Sequence, residues 1–281
     1  MKPRVAVVQF PGVNCEAETA RALERVGLEA EIFRWMRPAG ELARFDAYVL
    51  PGGFSYQDRV RGGALAAKHP LVEVLAERAE HGAPVLGICN GAQVLVEAGL
   101  VPGGGEVELA LARNRMPGRA GYYARWVMVR IEASPCLFTR TLEPGTLLPL
   151  PVAHGEGRFT SRAEGRLADL AAAGQVPLRY ASPDGRTAAA FPDNPNGSEE
   201  AVAGLCNAGG NVLALMPHPE RAQDLGALSR AVGGPWAERR DARLEAIASA
   251  GGRHEEAGAE DGPGLAIFAG LARHLASGGQ A

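Results

Sequence analysis

Apolar and polar residues alternate along the first half of the chain in segments that predict strands separated by helices. Short apolar or alternating segments predict strands over residues 5–10, 29–35, 47–50 and 84–89. Apolar residues at helical spacing predict helices over residues 15–26, 70–80 and 91–98. Strands that alternate with helices are typical of βαβ units. We therefore expect an α/β fold with an open, mostly parallel sheet and helices on both faces.

The second half has a different pattern. Short strands are predicted over residues 123–131, 179–180, 187–191 and 212–216, and an amphipathic helix over 263–275. Turn signals between these segments favour a mixed or antiparallel extension of the same sheet. Residues 223–262 are rich in Ala, Gly, Arg and Glu and only weakly periodic. We expect a partly helical surface insertion there, within a single domain that spans residues 1–281.

The amino-acid composition limits the class of protein and the kinds of partner that we expect. The 281 residues are 46% hydrophobic and 22% charged, with a net charge of −3, which fits a globular protein with a core. This balance gives no reason to expect nucleic acid or a membrane surface as partner. The longest apolar runs are far shorter than a membrane span of ~20 residues. The apolar run over residues 5–10 is too short for a signal peptide, so we expect a cytoplasmic protein. Four cysteines in a chain of this length do not make a disulfide framework, and none form a CxxC pair, so we expect reduced thiols and no metal site.

Cys89 lies in a strand–turn–helix pattern that is typical of an activated nucleophile. Gly87 and Gly91 flank it at two residues on either side, and a helix pattern follows at once. Glycines at these positions let neighbouring backbone approach a tight turn. Such a turn lifts the sulfur to the N-terminus of the next helix, which favours the thiolate. The amide of Asn90 is then placed to stabilise an oxyanion. A buried structural cysteine between two unrelated glycines would give the same local pattern.

Two other segments supply the groups that such a thiol needs. Gly52 and Gly53 follow a predicted strand, where a backbone amide can donate to a developing oxyanion, although a plain tight turn would look the same. His218 and Glu220 lie two residues apart in a proline-flanked extended segment, so both can face one site. The imidazole would move the thiol proton, and the carboxylate would orient the ring. A solvated His-Pro turn is the alternative.

Taken together, these segments resemble the triad-type (class I) glutamine amidotransferases. The shared stretches are P-G-G-F at 51–54, G-I-C-N-G-A-Q at 87–93 and P-H-P-E at 217–220. The resemblance implies that Cys89 is the nucleophile, His218 the general base and acid, and Glu220 the orienting carboxylate. It also implies that Gly52, Gly53, Asn90 and Gln93 form the oxyanion and glutamine sites, and that the fold is flavodoxin-like.

Further stretches are similar to the branch of the family that serves purine biosynthesis. They are residues 10–16, 53–56, 89–91, 152–157, 194–198 and 218–222. This branch implies a glutaminase that releases ammonia through a cysteinyl thioester. The ammonia would pass to a large synthetase subunit, which converts formylglycinamide ribonucleotide to its amidine with ATP and magnesium. A small accessory subunit is also implied, and no cofactor is expected on this chain.

The sequence leaves other functions open. The chain could serve another biosynthetic pathway, act as a cysteine hydrolase or peptidase of the same fold, or be a binding subunit without activity. His154 and Glu156 form a second His-x-Glu pair, which we interpret as a pocket-lining or interface loop. The sequence departs from the branch at Gln57, where glycine is usual, and at Arg59, where an aromatic residue is common.

Overall fold

A nine-stranded sheet forms the centre of the structure. The computed structural model describes residues 2–249 and 260–278. The strands of the described chain are β1 (Arg4–Gln9), β2 (Glu29–Arg34), β3 (Ala47–Leu50), β4 (Val85–Ile88), β5 (Leu109–Arg113), β6 (Tyr123–Ile131), β7 (Leu147–His154), β8 (Glu156–Ser161), β9 (Leu178–Ala181), β10 (Val202–Cys206) and β11 (Val212–Leu215). The sheet order is β2-β1-β3-β4-β11-β10-β9-β6-β7, and β5 pairs with β8 in a separate two-stranded sheet.

The sheet is parallel in one half and antiparallel in the other. Strands β2, β1, β3, β4 and β11 are joined by parallel pairing, whereas β10, β9, β6 and β7 continue the sheet by antiparallel pairing. The expected parallel sheet with a mixed extension is therefore confirmed. The carboxyl ends of β3, β4 and β11 meet at one edge, which is where open α/β sheets bind ligands.

Helices cover the sheet and connect its strands. They are α1 (Glu16–Arg25), α2 (Pro70–Glu80), α3 (Asn90–Glu97), α4 (Arg166–Ala172), α5 (Pro235–Ser249) and α6 (Leu265–Ala276). Helix α1 packs beside α6, and α2 packs beside a short 3-10 turn over Ala39–Arg44. Since both faces of β1, β3 and β4 are covered, their residues are buried without alternation.

Most predicted elements are confirmed, and the exceptions have physical causes. Residues 187–191 do not form a strand; Thr187 makes an isolated bridge to Ala181. Strand β9 already pairs with β10 on one side and β6 on the other, so no edge is free there. Strand β7 was missed because it contains Pro149 and Pro151, which an edge strand tolerates. The sequence pattern also missed β5, β8, β10 and α4.

The segment 223–262 is helical over α5, and its residues 250–259 lie outside the described part of the chain. Its interpretation as an insertion within a single domain stays a prediction. Among the described residues, no helix combines the length and apolar character that crossing a bilayer requires.

Candidate active site

Cys89 lies in a strained turn between β4 and α3. Its φ of 49° is in the left-handed region, which costs a residue with a side chain about 1–2 kcal/mol. A Cβ on Gly87 would lie 2.6 Å from the carbonyl oxygen of Gly91, and a Cβ on Gly91 would collide with the carbonyl oxygen of Leu50. Both glycines are therefore required by close backbone packing, as the sequence predicts. The turn leaves Cys89 only 5% exposed, at the N-terminus of α3.

His218 reaches the same place from the neighbouring strand. Ile88 pairs with Leu215, and the amide of Cys89 donates to the carbonyl oxygen of Leu215 at 2.8 Å. The chain then passes through Met216 and Pro217 to His218, whose own amide donates to the carbonyl oxygen of Pro151 at 2.8 Å. The two strands thus leave the sheet side by side and carry both side chains to its carboxyl edge.

Glu220 holds the imidazole of His218 from behind. Nδ1 of His218 lies 2.5 Å from Oε1 of Glu220, and both side chains are almost fully buried. Burial alone would lower the pKa of His218, but the charges of Glu220 and Cys89 outweigh it and raise this pKa well above its usual value. Nε2 of His218 is buried and has no hydrogen-bond partner within the described chain, so it remains available to a ligand.

The backbone at Gly52 and Gly53 packs closely beside His218. A Cβ on Gly52 would lie 2.6 Å from Cε1 of His218, so the ring occupies the space that a side chain would need. Gly53 has a φ of 150° and forms an isolated antiparallel β-bridge with Val13. Within the described residues the Gly53 amide has no protein acceptor, which leaves it free for an oxyanion.

Asn90 and Gln93 connect the loops around the site through their side chains. Oδ1 of Asn90 accepts from the amide of Ser55 at 2.9 Å, and its Nδ2 donates to Asp58 at 3.1 Å and to Gln93 at 2.8 Å. Gln93 in turn donates to the carbonyl oxygen of Glu156 at 2.7 Å. The Asn90 side chain therefore positions the loop after β3, a role that its place beside the nucleophile does not reveal.

A cavity of about 190 Å³ opens beside the sulfur of Cys89. The residues that line it are Gly53, Phe54, Asp58, Cys89, Gln93, Tyr122, Ala153, His154, Gly155 and Glu156. Gln93 and Gly53 line it as the sequence predicts, and the loop with His154 and Glu156 lines it too. Asp58 and Tyr122 were not predicted: Asp58 lies between Gln57 and Arg59, where the sequence departs from the family pattern, and Tyr122 belongs to no recognisable motif.

Cys15 is a second thiol beside the site. It is fully buried at the start of α1, and the guanidinium of Arg221 donates to its sulfur at 3.0 Å. A Cβ on Gly52 would lie 3.3 Å from this sulfur, so the thiol packs next to the His218 ring. Cys15 is therefore a buried thiol, and its sulfur occupies the guanidinium of Arg221.

Comparison with known proteins decides the family. A model of the CobB/CobQ-like glutamine amidotransferase domain matches residues 2–247. Phosphoribosylformylglycinamidine synthase subunit PurQ of Methanothrix thermoacetophila is 49% identical over 226 residues, covering 78% of this chain and 86% of that protein. The chain belongs to the PurQ family of glutamine amidotransferases.

A second PurQ relative and a solved structure match a similar share of the chain. The PurQ subunit of Thermus thermophilus is 46% identical over 221 residues, covering 79% of this chain and 90% of its own. A chain in the structure of PurLQS from Thermotoga maritima has a TM-score of 0.65 and 33% identity, and the match covers 89% of this chain and 99% of that one. The similarity to this solved structure thus extends over most of the chain.

Proposed function

We propose that this chain is the glutaminase subunit of phosphoribosylformylglycinamidine synthase. In this role it hydrolyses glutamine to glutamate and ammonia, and a partner synthetase uses the ammonia to convert formylglycinamide ribonucleotide to formylglycinamidine ribonucleotide with ATP. The observation that carries the proposal is the buried His218–Glu220 pair beside Cys89, at the ends of two paired strands. A thiol, an imidazole and an orienting carboxylate are the groups that cysteine-dependent amide hydrolysis requires.

The first half of the proposed reaction forms a thioester. The sulfur of Cys89 attacks the carboxamide carbon of glutamine, a C–S bond forms, and the C–N bond breaks. His218 takes the thiol proton and gives it to the leaving nitrogen, which departs as ammonia. The amides of Gly53 and Asn90 would stabilise the oxyanion, since Gly53 lines the cavity beside Cys89 and Asn90 begins α3 directly after it.

The second half consumes water. A water molecule adds to the thioester carbonyl, His218 removes its proton, and the C–S bond breaks to release glutamate and restore the thiol of Cys89. Glu220 stabilises the imidazolium form of His218 in both halves, which explains the role of a carboxylate that is fully buried. Gln93 would line the pocket of the bound glutamine.

The remaining chemistry is assigned to partners. ATP, magnesium and the ribonucleotide would bind on the large synthetase subunit, and a small accessory subunit would complete the assembly. This division is supported by the names of the relatives, which are subunits of a synthase, and by the solved PurLQS structure. We place the reaction in the cytoplasm, where the four free cysteines would stay reduced.

Substitution of Cys89 by Ala tests the proposal. We expect the complex of this chain with its synthetase to lose amidine formation from glutamine by more than a thousandfold, because no thioester can form. Amidine formation from added ammonia should remain within about twofold of the wild type, since this path bypasses the thiol. Cys136→Ala, in the core away from the cavity, is the matched control and should keep glutamine-dependent activity. Persistent glutamine use by Cys89→Ala would contradict the mechanism.

A further inference from the structure

The cavity beside Cys89 is lined by two carboxylates and, within the described part of the chain, by no cationic side chain. Asp58 and Glu156 are the charged groups among the described residues that line it. Burial and the neighbouring charge of Glu156 raise the pKa of Asp58 to about 6. A carboxylate in such surroundings is costly unless a cation approaches it. The cavity is therefore built for a ligand that brings positive charge.

Asp58 keeps acceptor capacity toward this cavity. Its Oδ1 accepts from Nδ2 of Asn90 at 3.1 Å, and no Lys or Arg of the described chain forms an ion pair with it. A φ of 51° at Asp58 and left-handed conformations at Tyr56 and Gln57 hold the carboxylate in place. Non-glycine residues rarely adopt this conformation, and runs of them cluster at functional sites.

Glu156 is only partly neutralised. Its Oε2 accepts from the amide of Gly62 at 3.0 Å, and its Oε1 lies 3.8 Å from the guanidinium of Arg113. The Arg113 side chain is 91% exposed, so this ion pair is screened by solvent and contributes little. The second carboxylate thus also has capacity for a cation from the cavity.

His154 points independently to a bound hydrogen-bond donor. Its ring is only 3% exposed, and Nε2 has no hydrogen-bond partner within the described chain. The side-chain amide of Asn114 donates to the carbonyl oxygen of His154 at 2.8 Å, which turns its Oδ1 toward Nδ1 of the ring at 3.0 Å. Nδ1 therefore carries the hydrogen and Nε2 is an acceptor. Burial, with the nearby charge of His218, lowers the pKa of His154 to about 3, so the ring stays neutral.

We propose that Asp58 and Glu156 bind the α-ammonium group of glutamine and so make the enzyme select the free amino acid. The assignment rests on the proposed function. A free glutamine carries a charged α-ammonium and a charged α-carboxylate, both of which a peptide-bound glutamine lacks, and the ammonium is the group that two carboxylates can bind. The carboxylate pair recognises this difference at the opposite end of the substrate from the scissile bond. Asn90 links the two ends, since it follows the nucleophile in sequence and holds Asp58 through its side chain.

Isosteric substitutions test this assignment without removing the local hydrogen bonds. Asp58→Asn keeps an oxygen that accepts from Asn90, and asparagine tolerates the left-handed backbone. Glu156→Gln keeps an oxygen that accepts from the amide of Gly62. Asp169→Asn is the control, because Asp169 is exposed on α4 away from the cavity. Thermal unfolding of each variant shows that it is folded.

The measurement is ammonia release by the full chain in complex with its synthetase subunit. Each variant is assayed with glutamine and with 5-amino-5-oxopentanoate, the analogue that has hydrogen in place of the ammonium group. We expect Asp58→Asn and Glu156→Gln each to raise KM for glutamine roughly tenfold to a hundredfold, with little change in kcat. Activity on the analogue should stay within about threefold, so the preference for glutamine falls by the same factor as its affinity.

The outcomes separate this assignment from the proposed function. If the wild type hydrolyses glutamine and both variants still prefer glutamine over the analogue by the wild-type factor, the ammonium assignment is wrong and the glutaminase function stands. Equal losses on both substrates also overturn it, because they indicate a structural role for the carboxylates. If the wild-type complex releases no ammonia from glutamine, the proposed function fails and the assignment fails with it.

Discussion

A single methyl group at Gly52 should disable the site by displacing the imidazole of His218. The ideal Cβ of an alanine at this position lies 2.6 Å from Cε1 and 3.1 Å from Nδ1 of His218, and 3.3 Å from the sulfur of Cys15. Carbon atoms in contact are about 3.5–4.0 Å apart, so the ring must retreat by about 1 Å. Gly52→Ala thus tests whether the position of the ring matters.

The surroundings leave the ring no free direction. His218 is buried, and its Nδ1 is bound to Glu220 at 2.5 Å. A retreat of about 1 Å therefore weakens this hydrogen bond or moves Nε2 away from the thiol. A displacement of this size at a reacting group costs about a hundredfold in rate. We expect kcat for glutamine hydrolysis to fall by about that factor in Gly52→Ala.

Gly40→Ala is the matched control. No atom lies within 4 Å of the ideal Cβ at Gly40, and its backbone needs no positive φ. Both variants are assayed as complexes for glutamine-dependent and ammonia-dependent amidine formation, and both are checked by thermal unfolding. Gly40→Ala should behave as the wild type, and Gly52→Ala should lose only the glutamine-dependent activity. A folded Gly52→Ala complex that stays within threefold of the wild type on glutamine would refute the steric reasoning.

Two further predictions concern stability. Burial alone would lower the pKa of His218, but Glu220 and the site thiols raise it. The His218–Glu220 pair therefore contributes its full stabilisation below about pH 6.5 and loses it as pH rises through the raised pKa. Glu220→Gln should flatten the dependence of melting temperature on pH above about pH 6.5, and parallel curves for the two proteins would count against the coupling. Gln57→Gly should stabilise the protein by about 0.5–1 kcal/mol, because Gln57 has a φ of 61° that glycine adopts without steric cost. Gln57→Ala keeps the Cβ and should not raise the melting temperature; an equal rise in both variants would contradict the argument.

The catalytic segments could be predicted because each is encoded locally. A strand, a cysteine between glycines and a helix start define the turn at Cys89 within a few residues. The proline-flanked segment around His218 and Glu220 is equally short. The motifs alone do not show that these segments lie together in space. The pairing of β4 with β11 brings them to one site.

Other parts of the site depend on contacts that no local pattern encodes. Asp58 reaches the cavity through a run of left-handed residues and a hydrogen bond from Asn90, which comes from a distant turn. Cys15 enters the site because the start of α1 packs against Gly52. The glycine that is usual at position 57 suits this loop, since the backbone of Gln57 is left-handed.

The position of β11 has a consequence for the newly made protein. This strand lies between β4 and β10 in the sheet, although it is the last of the strands to be synthesised. Until it inserts, the parallel half of the sheet has an open edge, and the cysteine turn has no histidine beside it. A chain still emerging from the ribosome therefore carries a nucleophile without a base. Glutamine hydrolysis by the proposed mechanism therefore requires that β11 has joined the sheet.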